Sequence, residues 1–173
     1  MKPMQYTLEH LNTMPRDAFA TALSGIFEHS PWVAEQAADA RPFASIEALY
    51  TAMCGIVERA GEARQLALIG AHPELAGKAA VRGELTAEST REQSGAGLAQ
   101  CTQAQFDTLQ RLNTAYREKF GFPFILAVRG YDRAGIIANF EARVNNSRDE
   151  ELRASLEQIY RIARFRIDDL VTA

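Results

Sequence analysis

The chain has 173 residues, the length of one ordinary domain, and can bury a core without a disulfide or metal staple. With 47% hydrophobic and 24% charged residues and a formal net charge of −3, it has no field to draw nucleic acid or an anionic membrane, so neither is an expected partner. Cys54 and Cys101 stand far apart and outside any CxxC or Cys/His cluster, which argues against a disulfide framework and a zinc site and for a reducing compartment.

The opening MKPMQYTLEHLN lacks the basic start and apolar run of a signal peptide, and no segment approaches the roughly 18 apolar residues that span a bilayer. The chain ends Val171-Thr172-Ala173 rather than in a peroxisomal Ser-Lys-Leu, so the cytoplasm is the expected location. Helical periodicity begins at Pro15 to Phe27, where Phe19, Leu23, Ile26 and Phe27 share a stripe. Ser30-Pro31 opens a short second helix with Trp32 and Val33. Ser45 to Ala60 follows, with Ile46, Leu49, Met53, Ile56 and Val57 in register and Gly61 as its stop. Glu62 to Gly70 leads to His72.

Lys78 to Thr86 reads as a loop, and the helix over the SxxEQ segment ends at SGAGL. Thr102 caps a long helix to Phe120 whose stripe is Phe106, Leu109, Leu112 and Tyr116, with Gly121 as its stop and a solvated polar face. Trp32, Phe106 and Tyr116 are assigned to the core, which at helical spacing outweighs an aromatic ligand box. Phe122 to Val128 is too apolar and too short for periodicity to settle, and with no partner strand in view it reads as extended or irregular backbone. Gly135 to Val144 is another helix, and Ser147-Arg-Asp-Glu150 is a capping box opening the last one, towards Val171. The expected architecture is all-α, a single compact helical domain over residues 1–173 with about eight helices and an irregular segment near 122–128. No repeat, low-complexity tract or linker divides it.

The chemistry concentrates between Ala71 and Leu98. His72 precedes a proline that pushes it out of helical geometry, and an imidazole with an ordinary pKa of about 6.5 suits proton transfer at neutral pH. Ser89, Glu92 and Gln93 stand at i, i+3 and i+4, which gathers them on one helical face. Two plainer readings stand beside these. Ser89 and Glu92 also spell a capping box, and His72-Pro73 also marks the end of one helix and the start of the next. Near the C-terminus, Arg161, Arg164 and Arg166 read as a solvated charge run, but Arg164 falls with Leu156, Ile159 and Tyr160 on a stripe that turns it inward, towards a carboxylate or carbonyl oxygens.

Taken in order, FEHSPWVAE, AHPELAG, SxxEQxGAGL, FGFPFILAVRG and IARFRIDDLV form a pattern that resembles the 2-oxo-4-hydroxy-4-carboxy-5-ureidoimidazoline (OHCU) decarboxylases of urate breakdown, from about Phe27 to Val171. The resemblance implies an all-helical, often homodimeric enzyme that takes the product of hydroxyisourate hydrolase to (S)-allantoin and CO2 without a cofactor. It also implies a catalytic histidine at His72 and a catalytic carboxylate at Glu92. Substrate contacts fall on Pro73, on Ser89, Thr90, Arg91, Glu92 and Gln93, on Phe124, Ile125, Leu126, Ala127 and Val128, and on Arg164. Two rival readings are a helical binding domain, which would turn over no ureide, and a cofactor-free hydrolase of a neighbouring cyclic ureide, which would release no CO2.

Overall fold

The computed structural model describes residues 5–173, and these are built almost wholly from helices. They run α1 (Leu8–Thr13), α2 (Arg16–Ala22), α3 (Pro31–Ala38), α4 (Ile46–Arg59), α5 (Glu62–Ala71), α6 (Lys78–Val81), α7 (Ala87–Gly95), α8 (Gln103–Phe120), α9 (Arg133–Arg143) and α10 (Arg148–Leu170). The expected all-α class holds. The helices beyond the expected eight are three short pieces, α1, the single turn α6 and a 3-10 turn at Leu98–Gln100. The chain divides into two compact units, one formed by the chain up to Ala71 with Tyr160–Ala173, the other by His72–Ile159.

In the first unit, Thr7 caps α1 and Ser45 caps α4 by accepting the N–H of His10 and of Ala48. Two strands of two residues, β1 (Tyr6–Thr7) and β2 (Val171–Thr172), pair in parallel. Leu11, Phe19, Val33, Leu49, Met53, Val57, Ile69, Ala163 and Ile167 are fully buried. The helix expected over Pro15 to Phe27 stops at Ala22. Beyond it the backbone tightens into turns, the Ser24 hydroxyl bonds the Thr21 carbonyl, and Gly25 follows, so local hydrogen bonding displaces the next helical turn. Leu23, Ile26 and Phe27 are buried all the same.

In the second unit α8 is the central member. Thr102 and Gln105 form a reciprocal capping box at its start, and Gly121, at φ +81°, closes its end in the left-handed conformation that glycine adopts without strain. The residues after it, Phe122 to Val128, form no helix and join no sheet, as expected of extended or irregular backbone, with all but Pro123 buried. Tyr116 meets Phe122, Phe124 and Phe140 edge-on, and Phe124 stacks on Phe140 of α9 at 3.9 Å. Of the three aromatics assigned to the core, only Tyr116 is fully enclosed. Trp32 is half-buried with Arg64 over its ring, and half-buried Phe106 lines a cavity. Ser147 and Glu150 make the expected capping pair at α10. Among the described residues no helix is long and apolar enough to cross a membrane.

Candidate active site

His72 is the first residue after α5, buried at 7% exposure, and its Nε2 makes no hydrogen bond to another described residue. Pro73 follows, and then Glu74-Leu75-Ala76 form a turn with few free backbone groups. Gln93 Oε1 accepts the Ala76 N–H at 2.9 Å while its Nε2 donates to the Glu74 carbonyl at 3.3 Å. From α8, Asn113 donates to the Leu75 carbonyl (3.0 Å), Gln110 to the Ala76 carbonyl (2.7 Å), and Arg117 pairs with the Glu74 carboxylate (2.7 Å). Ala76 has φ +51°, a conformation disfavoured for a residue with a Cβ, and it persists because both its backbone groups are held by side chains. The polar face of α8, expected in solvent, is here partly a bracket for this turn: residues 110, 113 and 117 share one face.

α7 is not opened by Ser89. Thr86 is the cap, accepting the Ser89 N–H at 3.1 Å, so Ser89 lies inside the helix, with 4% exposure, and does not open it. Ser89 and Gln93 are buried four residues apart, Glu92 is half-buried beside them, and Thr90 and Arg91 are exposed. A cavity of about 530 Å³ lies on the other edge of α7, lined by Leu85, Thr90, Gln93, Leu98, Cys101 and Phe106 among others. His72, Ser89 and Glu92 do not line it; Gln93 stands between the two sides.

The 122–128 segment is tied down as well. Arg143 donates to the Ile125 carbonyl (2.6 Å) and lies 4.4 Å over the Phe124 ring, and Gln158 accepts the Ala127 N–H (3.0 Å). Arg143 itself pairs with Glu151, a fully buried carboxylate that also accepts from the Tyr116 hydroxyl and Asn146. Burial, with Glu151 at its oxygen, pushes the Tyr116 hydroxyl far above the usual phenol range. One helix, α8, thus carries both the bracket for the His72 turn and the ring that packs the 122–128 segment.

In the first unit, the inward arginine of α10 is Arg166 and not Arg164. Arg166 is 5% exposed, donates to the Gly25 carbonyl at 2.9 Å and meets the buried Glu28 carboxylate at 3.4 Å. It stands three and four residues beyond the buried Ala163 and Ile162, which is the true stripe. Arg164 is partly exposed and paired with Glu47 and Asp168, and those carboxylates raise its pKa.

Residues 12–168 match the OHCU decarboxylase family. The chain belongs to that family. It is 42% identical to the 2-oxo-4-hydroxy-4-carboxy-5-ureidoimidazoline decarboxylase of Haloferax volcanii, over 94% of this chain and 95% of that one. Among solved structures it resembles an (S)-allantoin synthase (TM-score 0.75, 30% identity, 97% of this chain and 54% of the other) and an OHCU decarboxylase crystallised with (S)-allantoin (TM-score 0.66, 25% identity, 87% and 94%). Sequence reasoning missed what braces the His72 turn and the 122–128 segment: Asn113, Gln110, Arg143, Glu151 and Gln158. Asn113 alone left a signal, as an amide between Leu109 and Tyr116 on an apolar stripe.

Proposed function

We propose that this chain decarboxylates OHCU to (S)-allantoin in urate breakdown, with His72 as general acid/base. The observation that carries the assignment is the burial of His72 at the head of a turn that Gln93 locks directly to the SxxEQ helix. OHCU carries its carboxylate on a carbon next to a C=N bond. When CO2 leaves, the freed electron pair forms a C=C bond to the ureido-bearing carbon while the C=N pair passes to nitrogen, which takes a proton from solvent, and an enol results, so the substrate supplies its own electron sink. What remains for the protein is orientation, stabilisation of developing charge, and delivery of one proton to one face of the ureido-bearing carbon as the enol hydroxyl gives up its proton.

His72 is suited to that exchange near neutral pH, and Glu92 is assigned to orient it or share its proton. Pro73, Ser89 through Gln93 and the backbone of Phe124 to Val128 are assigned to the polar edge of the ureide and ring, with the Phe124 and Ile125 side chains as apolar walls for the departing CO2. The Ile125 carbonyl and Ala127 N–H are already engaged by Arg143 and Gln158, so the substrate contacts of this segment fall on its other backbone groups. Arg164 is assigned to a carboxylate or ring oxygen of the substrate, which would take the place of the Glu47 and Asp168 carboxylates it now meets. The family resemblance also supports a homodimer that consumes the product of hydroxyisourate hydrolase, and two free thiols suit a reducing, cytoplasmic compartment.

The test follows circular dichroism of allantoin when purified protein meets freshly generated OHCU, beside a control without protein. Rapid growth of the (S)-allantoin signal is the expected result. A trace matching the control returns the chain to the binding-domain reading, and turnover of a cyclic ureide without CO2 release returns it to the hydrolase reading.

A further inference from the structure

We propose that Asn113 is a positioning residue for His72, acting through the Glu74–Ala76 turn. The proposal rests on His72 as the acid/base group.

Asn113 is 3% exposed on α8, between the buried Leu109, Leu112 and Tyr116. Its Nδ2 donates to the Leu75 carbonyl, but its Oδ1 is buried with no hydrogen-bond partner among the described residues. An amide in that state is a poor stabiliser. The single bond it makes is offset by the unpaired oxygen beside it, and an apolar side chain of the same shape exchanges that unpaired oxygen for an unpaired Leu75 carbonyl, so the net change in stability is small. What the amide does accomplish is geometric. The Leu75 carbonyl is the middle one of three consecutive carbonyls, all held by side chains, and the flanking two are held by Gln93 and Gln110.

Pro73 couples this turn to the imidazole. Its ring fixes one backbone torsion between His72 and Glu74, so a displaced turn carries the His72 backbone with it and is not absorbed by a soft linker. Ala76 adds to the coupling, because its φ of +51° is kept only by bonds on both sides, and a turn released from α8 has a lower-energy conformation to relax into. Gly77 closes the turn at a point where a Cβ would stand 2.8 Å from the Glu74 Cβ, so the packing has no slack. A displacement near 1 Å in an acid/base group is enough to lower turnover by roughly 100-fold.

The experiment compares Asn113→Leu, Gln110→Leu and His72→Gln with the parent protein for kcat, KM, enantiomeric purity of the allantoin and melting temperature. The expected result for Asn113→Leu is a melting temperature near the parent's, kcat lower by about tenfold or more, KM within about threefold, and a less pure enantiomer, because a misplaced proton donor loses its face. Unchanged kcat and purity in Asn113→Leu overturn the proposal. If Asn113→Leu loses stability and activity together, Gln110→Leu decides, since Gln110 is only half-buried: a lower kcat at parental stability supports positioning through the turn, and a parental kcat overturns it. An inactive His72→Gln beside a fully active Asn113→Leu defeats positioning alone, whereas a fully active His72→Gln removes the acid/base assignment underneath it.

Discussion

Glu151→Ala is the perturbation whose cost the structure specifies most closely. The carboxylate is wholly enclosed and accepts from Arg143 at 2.9 Å, Asn146 at 3.0 Å and the Tyr116 hydroxyl, while the Arg143 side chain is only 12% exposed. Deleting the acid leaves a guanidinium with little access to water and no counter-charge. Breaking one side of such a buried pair costs about 3–5 kcal/mol. At about 2–4 °C per kcal/mol for a chain of this length, the melting temperature should fall by about 6–20 °C. Far-UV dichroism during urea and thermal unfolding measures it. Because Arg143 also holds the Ile125 carbonyl and covers Phe124, KM for OHCU should rise in the same variant at temperatures where it is still folded. The double variant Arg143→Met with Glu151→Leu should recover much of the lost stability, since a well-packed apolar pair replaces the ion pair without desolvated charge. A loss below about 1 kcal/mol in Glu151→Ala, the level of an ordinary surface change, would refute this account.

Four further outcomes follow from named contacts. His72→Gln should lower kcat by about 100- to 10,000-fold, with a melting temperature near the parent's, read by the allantoin dichroism assay. Gly77→Ala must displace the Glu74 side chain, whose Cβ would lie 2.8 Å away; overpacking of this kind costs about 1–3 kcal/mol, and turnover should drop with stability. Thr86→Ala should destabilise by about 1 kcal/mol through loss of the α7 cap, whereas Ser89→Ala should leave helix stability nearly intact and raise KM, an order that a Ser89 cap would reverse. Burial pushes the Tyr116 phenol well above its ordinary pKa and Tyr50 up to about 12, so the unfolded chain releases these protons first. Stability should therefore be fully present below about pH 10 and decline above it, with tyrosinate absorbance lagging a free-tyrosine titration until the protein unfolds.

Most of the helices were legible because their signals are local. Thr102 before Gln103, Ser147 with Glu150, Gly121 after Phe120 and the Leu49–Met53–Ile56 register each act within a turn or two of the chain, and the structure uses all of them. His72 and the SxxEQ segment stood out for the same reason, and the ordered motifs around them carried the family resemblance. Where two local meanings competed, the sequence alone did not choose: Ser89 reads equally as a cap and as a member of one helical face, and only the structure shows that Thr86 takes the cap and turns Ser89 inward.

What required the tertiary structure is everything that depends on a partner distant in sequence. Whether α8 turns its amides to water or to a turn nearly forty residues back is decided by what packs against it, and helical periodicity is blind to that neighbour. The same holds for α10, where Arg164 and Arg166 look alike in sequence and it is Arg166 that meets Glu28 and the Gly25 carbonyl in the interior. Composition, caps and spacing determined an all-helical chain and pointed to its candidate site. The burial of Glu151 beneath Arg143, the Asn113 bond to Leu75 and the inward arginine came from tertiary contact, because a buried polar group is tolerated only where a specific remote partner meets it.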